Sequence, residues 1–481
     1  MSVLLVFLFI TISVADNLKY QLENNILIIS GNGTINQIMN ETYQSETKEI
    51  IIQNGIIEIG KGAFGNWNNL KNITISSTIK IIRKRAFAQC EKLETIIFDE
   101  NSKVEEIEDF AFQDCINLKQ ITLPHSIERM NFNKVFDGCD NIKEITIDEN
   151  NDYYTDEDNV IYDSNKTKVI YCPSGINNQT FESDYDIEEI SERTFEGSMI
   201  ETIHFSQSLE RIKQKSFYVN AKLKELFIPE NMTIIEKLGF AGSTELERVI
   251  ITSNNITIEE MAFYGCKKLK NILFIGENLN ILKNDIFNGT NVETIKVIDE
   301  YQNDTINGIT ISKVLTKGEC GETCELIYDS DDKMMYIYGT GEISQFNNMT
   351  NEIKQQIKEI QIQNGIKSIQ NNTLNQFNSL ETIEYNGIQT IQCLEQSLSN
   401  SFIGIKVNEE YKENTICGKS VSRYYGELNN NNNIKWMITD SNELIIYGNG
   451  NIPDYTRYHQ PEWYEYKEKI TSITIISTFL S

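Results

Sequence analysis

The sequence is dominated by a short phrase that recurs at a nearly constant spacing. Residues 111–121 read Ala-Phe-Gln-Asp-Cys-Ile-Asn-Leu-Lys-Gln-Ile, or Ala-Phe-x-x-Cys-x-x-Leu-x-x-Ile. A phenylalanine heads each of nine copies: Phe64, Phe87, Phe112, Phe136, Phe195, Phe217, Phe240, Phe263 and Phe287. Neighbouring copies lie 22–25 residues apart, apart from one gap of 59 residues after Phe136. A period in the twenties is typical of a solenoid, whose units bury their apolar faces by stacking on each other.

Each copy also predicts a short β-strand. Segment 70–76 alternates apolar and polar residues, so Ile73 and Ile75 are expected to face inward and Asn72, Thr74 and Ser76 outward. A second apolar stretch at 79–82 returns the chain to the next phenylalanine, and Ala-Phe-x-x-Cys suits one helical or 3₁₀ turn. The predicted fold class is α/β but β-dominated, a solenoid of parallel stacked short strands.

The nine cysteines form two groups. The first group follows a repeat phenylalanine by three residues and predicts a buried ladder of thiols: Cys90, Cys115, Cys139 and Cys266. Rungs about 5 Å apart with parallel side chains suit a disulfide poorly. Of the remaining five, which include Cys172, the pairs Cys320–Cys324 and Cys393–Cys417 are plausible disulfides in an oxidising compartment.

The N-terminal segment and the glycosylation motifs both predict export. Residues 1–15 form an apolar run that ends in Ser-Val-Ala, as in a secretory signal peptide, and the run is shorter than the roughly 20 residues of a membrane anchor. The chain contains eleven Asn-x-Thr sequons, at Asn32, Asn40, Asn72, Asn165, Asn178, Asn231, Asn255, Asn288, Asn303, Asn348 and Asn371. We therefore expect a secreted protein or one on the extracellular face of the cell surface.

A second, larger repeat divides the chain into modules. A β-branched strand, a Gly-x-Gly turn and an apolar residue recur at 27–35, 335–343 and 444–452, and each predicts a hairpin that opens a module. The last module stops where the first two continue, so we expect either partner contact or self-association at that edge, or a truncated gene model. The predicted divisions are signal peptide 1–15, hairpin module 1 at 16–47, solenoid 48–300 with a hairpin insertion at 150–186, connector 301–319, hairpin module 2 with short repeats 320–392, connector 393–416, and incomplete hairpin module 3 at 417–481.

Charge and motif content argue against several function classes. The chain has 43 basic and 70 acidic residues, and a net charge of −27 disfavours nucleic acid and anionic membranes as partners. The three histidines lack metal-ligand spacing, and the Gly-x-Gly turns lead into strands rather than the helix of a phosphate loop. The acidic run at 153–162 favours a solvated hairpin over a calcium site. We expect no cofactor, no metal and no enzymatic activity, with a secreted enzyme as a remote alternative.

These phrases resemble the BspA-like leucine-rich-repeat surface proteins. Leu118–Leu123 with Pro124 matches the first half of that family's repeat, and Met261–Cys266 matches the second half. The hairpin segment from Cys320 to Gly341 and the insertion at 153–173 are also similar to the family's modules. The resemblance implies a leucine-rich-repeat solenoid, and it implies adhesion to host cells, matrix proteins or other microbes.

The outward positions of the predicted strands suggest a binding face. The central outward column is Thr74, Ile97, Thr122, Thr146, His204, Phe227, Ile250, Leu273 and Lys296. Within it, Phe227, Ile250 and Leu273 form an apolar strip, rimmed by Thr202, Glu225, Arg248 and Asn271. We take Phe227, Ile250, Leu273, His204, Arg248 and Glu225 as candidate ligand contacts. A module-opening hairpin or a second copy covering the strip, or a register shifted by one residue, are the alternatives.

The sequence alone thus predicts a solenoid adhesin that binds a host or microbial surface protein, matrix protein or glycan. The main alternative is a glycosylated structural or shielding coat protein without a single ligand. No integral membrane segment is expected in the mature chain.

Overall fold

A computed structural model describes most of the chain, in two compact units. The described residues are 17–38, 40–173, 180–182, 185–281, 285–306, 308–347, 349–394, 404–408, 410–428, 431–448, 455 and 460–477. The predicted signal peptide, Asn178 and Asn348 lie outside these residues. Unit 1 comprises Met1–Arg248, Asn255–Lys270 and Leu279–Asn291, and unit 2 comprises Val249–Asn254, Asn271–Asn278 and Val292–Ser481.

The described elements are short strands with few helices. Up to residue 300 the strands are β1 Lys19–Glu23, β2 Ile26–Ser30, β3 Gly33–Ile35, β4 Glu49–Ile52, β5 Ile56–Ile59, β6 Asn72–Ile75, β7 Ile81–Ile82, β8 Thr95–Phe98, β9 Glu106–Ile107, β10 Gln120–Leu123, β11 Arg129–Met130, β12 Glu144–Ile147, β13 Tyr154–Glu157, β14 Val160–Asp163, β15 Lys168–Tyr171, β16 Thr180–Glu182, β17 Glu189–Ile190, β18 Thr202–His204, β19 Arg211–Ile212, β20 Glu225–Ile228, β21 Ile234–Ile235, β22 Arg248–Ile251, β23 Asn255–Ile258, β24 Asn271–Phe274, β25 Asn278–Ile281 and β26 Thr294–Ile298. The later strands are β27 Thr305–Ile306, β28 Ile309–Glu319, β29 Cys324–Asp329, β30 Met334–Gly339, β31 Gly341–Ile343, β32 Glu359–Ile362, β33 Ile366–Ile369, β34 Thr382–Tyr385, β35 Gln392–Cys393, β36 Gly404–Val407, β37 Thr415–Ile416, β38 Lys419–Leu428, β39 Asn431–Thr439, β40 Glu443–Gly448 and β41 Ser472–Ser477. The helices are α1 Glu41–Glu46, α2 Phe132–Val135 and α3 Asn351–Gln356, with 3₁₀ turns at Leu374–Gln376 and Glu462–Tyr466. None of these described helices is long and apolar enough to cross a membrane.

In unit 1 the first repeats form a coil whose longer strands belong to two separate sheets and whose shorter strands form what we call the second sheet. After the antiparallel pair β1–β2, the strands β4, β6 and β8 add in parallel, and β10 pairs in parallel with β12. The shorter strands β3, β5, β7, β9 and β11 form the second sheet. Ile73 and Ile75 of β6 are fully buried and Asn72 and Thr74 are not, as the alternation predicts. The expectation for Ser76 is wrong: β6 ends at Ile75, and Ser76 after it is buried.

The repeat phenylalanines stack as a ladder in the core of unit 1. Ring centroids of successive rungs lie 5.2 Å apart for Phe64 and Phe87 and 4.9 Å apart for Phe217 and Phe240, with nearly parallel planes. The predicted thiol ladder is also confirmed, because its four members Cys90, Cys115, Cys139 and Cys266 are free and buried. Each thiol donates a hydrogen bond to the backbone oxygen of the repeat phenylalanine one rung earlier, as from Cys90 Sγ to Phe64 O over 3.1 Å.

The Ala-Phe-x-x-Cys segment forms a series of turns rather than the predicted helical or 3₁₀ turn; α2 occurs only in the fourth copy. The residue two positions after the phenylalanine adopts a positive φ in each repeat, as at Gln89 (φ 61°) and Val219 (φ 58°). A left-handed residue ends any helix at that point. Several copies place glycine there, including Gly242 and Gly265, whereas Val219 is β-branched and strained.

We expect Val219→Gly to raise the free energy of unfolding by about 1 kcal/mol, because glycine adopts this φ without steric cost. Val219 is exposed, so little packing is lost with its side chain. The matched reverse change is Gly265→Val, where φ is +72° and a Cβ would meet nothing within 4 Å. It should destabilise by about 1–2 kcal/mol through backbone strain alone. Urea denaturation of the wild type and the two variants measures both changes in the free energy of unfolding. A loss of stability in Val219→Gly would contradict backbone strain at Val219.

The insertion after the fourth repeat forms a small antiparallel sheet. Strands β14 and β15 make the predicted hairpin, and β13 pairs with β14 in addition. Strand β15 then pairs in parallel with β17, so the insertion continues into a parallel ladder of the coil. The side chain of Asn151 anchors its start: its amide nitrogen donates to the backbone oxygens of Pro124, His125 and Ile127, and its oxygen accepts from two backbone N–H groups.

Unit 2 contains longer hairpin strands. Its sheet runs β24, β26, β28, β29, β30, β32, β34, β36, β38, β39, β40 and β41, and a second sheet contains β31, β33 and β35. Both predicted disulfides, Cys320–Cys324 and Cys393–Cys417, are present. Leu326, Met335, Ile360 and Ile383 belong to the core on one side of the long sheet.

Candidate functional site

The outward side chains of four neighbouring strands in unit 1 form what we call the open strand face. Its members on β6, β8, β10 and β12 are Asn72, Thr74, Thr95, Ile97, Gln120, Thr122, Glu144 and Thr146. Thr74 lies opposite Ile97 in the β6–β8 register, and Thr122 opposite Thr146 in β10–β12. Ile97 is 51% exposed, and Thr95, Gln120, Thr122 and Glu144 are exposed. The face is therefore accessible along four rungs.

The polar side chains of the open strand face are not engaged by the described part of the chain. Among the described residues, none of the seven polar members makes a side-chain hydrogen bond or ion pair with another part of the chain. Glu144 is the single ionisable group among these seven. By contrast, the neighbouring edge residues Lys71 and Glu94 pair with each other at 3.0 Å. Unpaired hydroxyl and amide groups on an exposed strand face can exchange water for groups of a ligand.

The expected exposure of the apolar strip is wrong for two of its three residues. Ile250 and Leu273 are fully buried, whereas Phe227 is half-buried. Phe227 and Leu273 occupy outward positions of their strands, since Phe227 lies between the buried Leu226 and Ile228 and Leu273 lies opposite Lys296. The error concerns what covers that side of the sheet, because alternation along a strand reports direction and not exposure.

On the same side of the sheet in unit 2, charged and apolar side chains are buried together. Lys296 lies opposite Leu273 in the β24–β26 register, and its ammonium contacts Asp329 at 2.7 Å and Asp332 at 2.9 Å. Asp329 is completely buried on β29, and so are Ile327 and Tyr336 on the same side of β29 and β30. The outward side of unit 2 along these strands is therefore a packed interior and not a surface.

The remaining candidate contacts are also less accessible than expected. Arg248 and Glu225 form an ion pair at 3.0 Å, and both side chains are largely buried. His204 is buried, and burial lowers the pKa of its imidazole to about 4. His204 lies opposite Glu182 in the β16–β18 register. These side chains serve the interior of the fold, and we do not propose them as ligand contacts.

The buried His204 predicts a loss of stability in mild acid. Its pKa falls from about 6.5 in the unfolded chain to about 4 in the fold, so only the unfolded chain gains a proton between these values. Stability should therefore be complete above pH 6.5 and fall by about 3 kcal/mol as the pH drops to 4. Urea denaturation of wild type and His204→Leu from pH 7.5 to 4.5 isolates this contribution. A stability difference that stays constant with pH would contradict it.

A buried charge cluster closes the outward side of unit 2 further along the chain. Glu359 on β32 contacts Lys406 on β36 and, at 3.0 Å, Lys435 on β39. Burial alone would raise the pKa of the Glu359 carboxyl, but the two ammonium groups outweigh burial and hold it well below its ordinary value. Strands β32 and β39 are four places apart, roughly 19 Å in a flat sheet. The contact therefore requires that this sheet curves strongly toward Glu359.

No group of three or more histidine, cysteine or acidic side chains that could hold a metal ion occurs among the described residues. The described cysteines outside disulfides are all buried, and burial raises the pKa of the Cys90, Cys172 and Cys266 thiols to about 12. Such thiols stay protonated at neutral pH and are poor nucleophiles.

The family of the chain follows from its repeats. The family model described as "BspA type Leucine rich repeat region" matches in six copies, over residues 36–168, 188–308 and 336–413. These ranges cover more than half of the sequence. The chain belongs to the BspA-type leucine-rich-repeat family. The parallel strand ladders and stacked phenylalanines described above are the three-dimensional form of that repeat.

The solved structures that match the chain include three bacterial proteins. A leucine-rich repeat protein from Eubacterium ventriosum is 18% identical, with 61% of this chain and 98% of that chain covered and a TM-score of 0.45. A leucine rich cell surface protein from Faecalibacterium prausnitzii is 19% identical, with 58% and 93% covered and a TM-score of 0.41. The pneumococcal vaccine antigen PcpA is 18% identical, with 82% and 93% covered and a TM-score of 0.38. The comparison with curated proteins finds no match.

Sequence reasoning found five of the eight members of the open strand face, including Asn72 as an outward residue of its strand, and overlooked the other three. Thr74, Ile97, Thr122 and Thr146 belong to the predicted outward column. The other members lie two residues earlier on the same strands, outside that column: Asn72, Thr95, Gln120 and Glu144. The period-2 alternation that identifies the first column contains the second as well.

Proposed function

We propose that this BspA-type protein is a secreted or cell-surface binding protein that adheres to a host or microbial protein or glycan through the open strand face. The observation that carries the proposal is a row of exposed polar side chains, unpaired within the described part of the chain, which surrounds the exposed Ile97. A polar surface with one apolar centre suits a partner that offers hydrogen-bonding groups.

Strand geometry supports contact with an extended surface rather than with a small molecule. Parallel strands present their outward side chains at a spacing of about 4.8 Å, so β6 with β8 and β10 with β12 each present a regular pair of rungs. Solenoids use such extended rows for recognition, and small-molecule sites are usually concave.

The test is binding of the full-length chain to epithelial cells and to immobilised matrix glycoproteins, with a matched pair of variants. Ile97→Glu places a charge in the open strand face, and Ile57→Glu places the same charge on the second sheet. The two isoleucines are 51% and 52% exposed, so neither change disturbs the core. We expect saturable binding that Ile97→Glu weakens roughly tenfold and Ile57→Glu leaves unchanged.

The alternatives give different results in the same experiment. Equal weakening by both variants would indicate a general charge effect and remove the open strand face as the site. Saturable binding that neither variant alters would keep an adhesin with another contact surface. A folded chain that binds to none of these surfaces would favour a shielding coat protein.

A further inference from the structure

The sequons occupy a restricted set of places in the fold. Nine of the eleven lie in the described part of the chain, and eight of these nine asparagines are exposed. Six lie in turns or loops between strands: Asn32, Asn165, Asn231, Asn288, Asn303 and Asn371. Asn40 caps α1, and Asn72 and Asn255 are the first residues of β6 and β23. Asn72 is the one that is half-buried.

The side-chain geometry at these asparagines is compatible with modification. Asn165 lies in the turn between β14 and β15, and Asn32 in the turn between β2 and β3. The amide nitrogen of Asn231 donates to Gln207 O at 3.0 Å, and a glycosylated amide still keeps one N–H for that bond. Asn40 uses its amide oxygen to accept from the backbone N–H groups of Thr42 and Tyr43, and the reactive atom is the nitrogen.

We propose that the chain carries N-linked glycans on the turn asparagines Asn32, Asn165, Asn231 and Asn303 and on Asn72, and that the glycan on Asn72 borders the open strand face. In the transfer, the amide nitrogen bonds to the anomeric carbon of an oligosaccharide carried by a polyisoprenol diphosphate. The bond from that carbon to the diphosphate oxygen breaks, and the amide loses one proton. This inference rests on the proposed export of the chain.

One part of the open strand face then carries no glycan. We call this part, on β8, β10 and β12, the window. The sequence has no sequon between Asn72 and Asn165, so β8, β10 and β12 carry none. Asn72 lies opposite Thr95 in the β6–β8 register, which places its glycan at the margin of the open strand face. A partner can therefore approach the outward side chains of β8, β10 and β12, from Thr95 to Thr146. The glycan on Asn72 hinders its approach beside β6. The same chain then combines shielding at its turns with access at one face.

Site occupancy tests the glycans independently of any ligand. The full chain is secreted from eukaryotic cells, and its glycans are released with a peptide amidase in heavy-oxygen water, which labels each formerly glycosylated asparagine. We expect label at Asn32, Asn72, Asn165, Asn231 and Asn303, and no label at position 72 in the control variant Asn72→Gln. A secreted, folded chain without label at these five positions would overturn the inference, whatever the binding assay shows.

An engineered sequon tests the window. Gln120→Asn completes Asn-Ile-Thr on β10 by one substitution, and Glu100→Asn completes Asn-Asn-Ser in the turn after β8. Glycosylated Gln120→Asn should bind cells at least about tenfold more weakly than wild type, and glycosylated Glu100→Asn should bind normally. Unglycosylated Gln120→Asn from bacteria should also bind normally. Full binding by glycosylated Gln120→Asn would show that the partner does not bind at the window. The glycans at the native sequons are tested separately, by the labelling experiment.

Discussion

Phe217→Ala is expected to lower the free energy of unfolding by about 4 kcal/mol, the cost of a large cavity in a packed core. Phe217 is fully buried, and its ring lies between those of Phe195 at 5.0 Å and Phe240 at 4.9 Å. Removing the ring deletes both stacking contacts as well as the buried apolar area. Neighbouring rungs hold the cavity open, because their backbones are joined by the strand ladders on either side.

Two further variants separate the cavity from other effects of the change. Phe217→Leu keeps most of the volume and should cost about 1–1.5 kcal/mol. Phe287→Ala removes a half-buried ring that stacks on Phe263 at 5.8 Å, so it should cost clearly less than Phe217→Ala. Urea denaturation followed by circular dichroism measures all three. Equal losses for Phe217→Ala and Phe287→Ala would mean that the ladder does not determine stability.

The repeat makes much of the fold predictable. A constant spacing of phenylalanines predicts that the rings stack, and the structure shows Phe87 between Phe64 and Phe112 with centroid distances of 5.2 and 5.4 Å. Alternation predicts which side of β6 is buried, and the spacing of Cys320 and Cys324 suggests their disulfide. These features are local or repeat at a fixed interval, so one copy of the pattern contains the information.

The exposure of the binding face is not predictable in the same way. Leu273 and Thr122 both occupy outward positions on repeat strands, yet one is fully buried and the other exposed. On the strand beside Leu273, Lys296 contacts Asp329, a residue far away in sequence. A pattern along one strand contains no information about a strand that folds over it. Apolar outward residues therefore look like a contact patch in the sequence, although they belong to an interior.

The same distinction explains why the polar rungs are the better candidates. Apolar side chains that are exposed in a row are rare on soluble proteins. Apolar residues at successive outward positions of a sequence therefore indicate a covered face more often than an open one. Thr95, Gln120 and Thr122 carry polar groups that need no cover, and they remain accessible to solvent and partners. Polarity at outward positions thus predicts which stretch of a solenoid stays open.

Glu359→Gln is expected to destabilise unit 2 by about 3–5 kcal/mol, because it leaves the buried ammonium of Lys406 without its ion-pair partner. The Lys406 side chain is only 8% exposed, so water cannot replace the lost carboxylate. Lys435→Met should lower the free energy of unfolding by less than about 1 kcal/mol, because Lys435 is more exposed and the ion pair of Glu359 with Lys406 remains. The sheet curvature that joins β32 to β39 should then persist through packing of the surrounding strands.

The double variant Glu359→Leu with Lys406→Met distinguishes an unpaired charge from lost packing. Replacing a buried ion pair by apolar side chains is often close to neutral, so the double variant should recover most of the stability lost in Glu359→Gln. The pKa of Glu359 is lowered in the fold, so its contribution should be complete above about pH 5 and decline only as the pH falls through the acid range. Two of the three tryptophans, Trp436 and Trp463, belong to unit 2, so their fluorescence during urea denaturation follows that unit. A double variant as unstable as Glu359→Gln would show that shape, rather than charge, holds this side of the sheet closed.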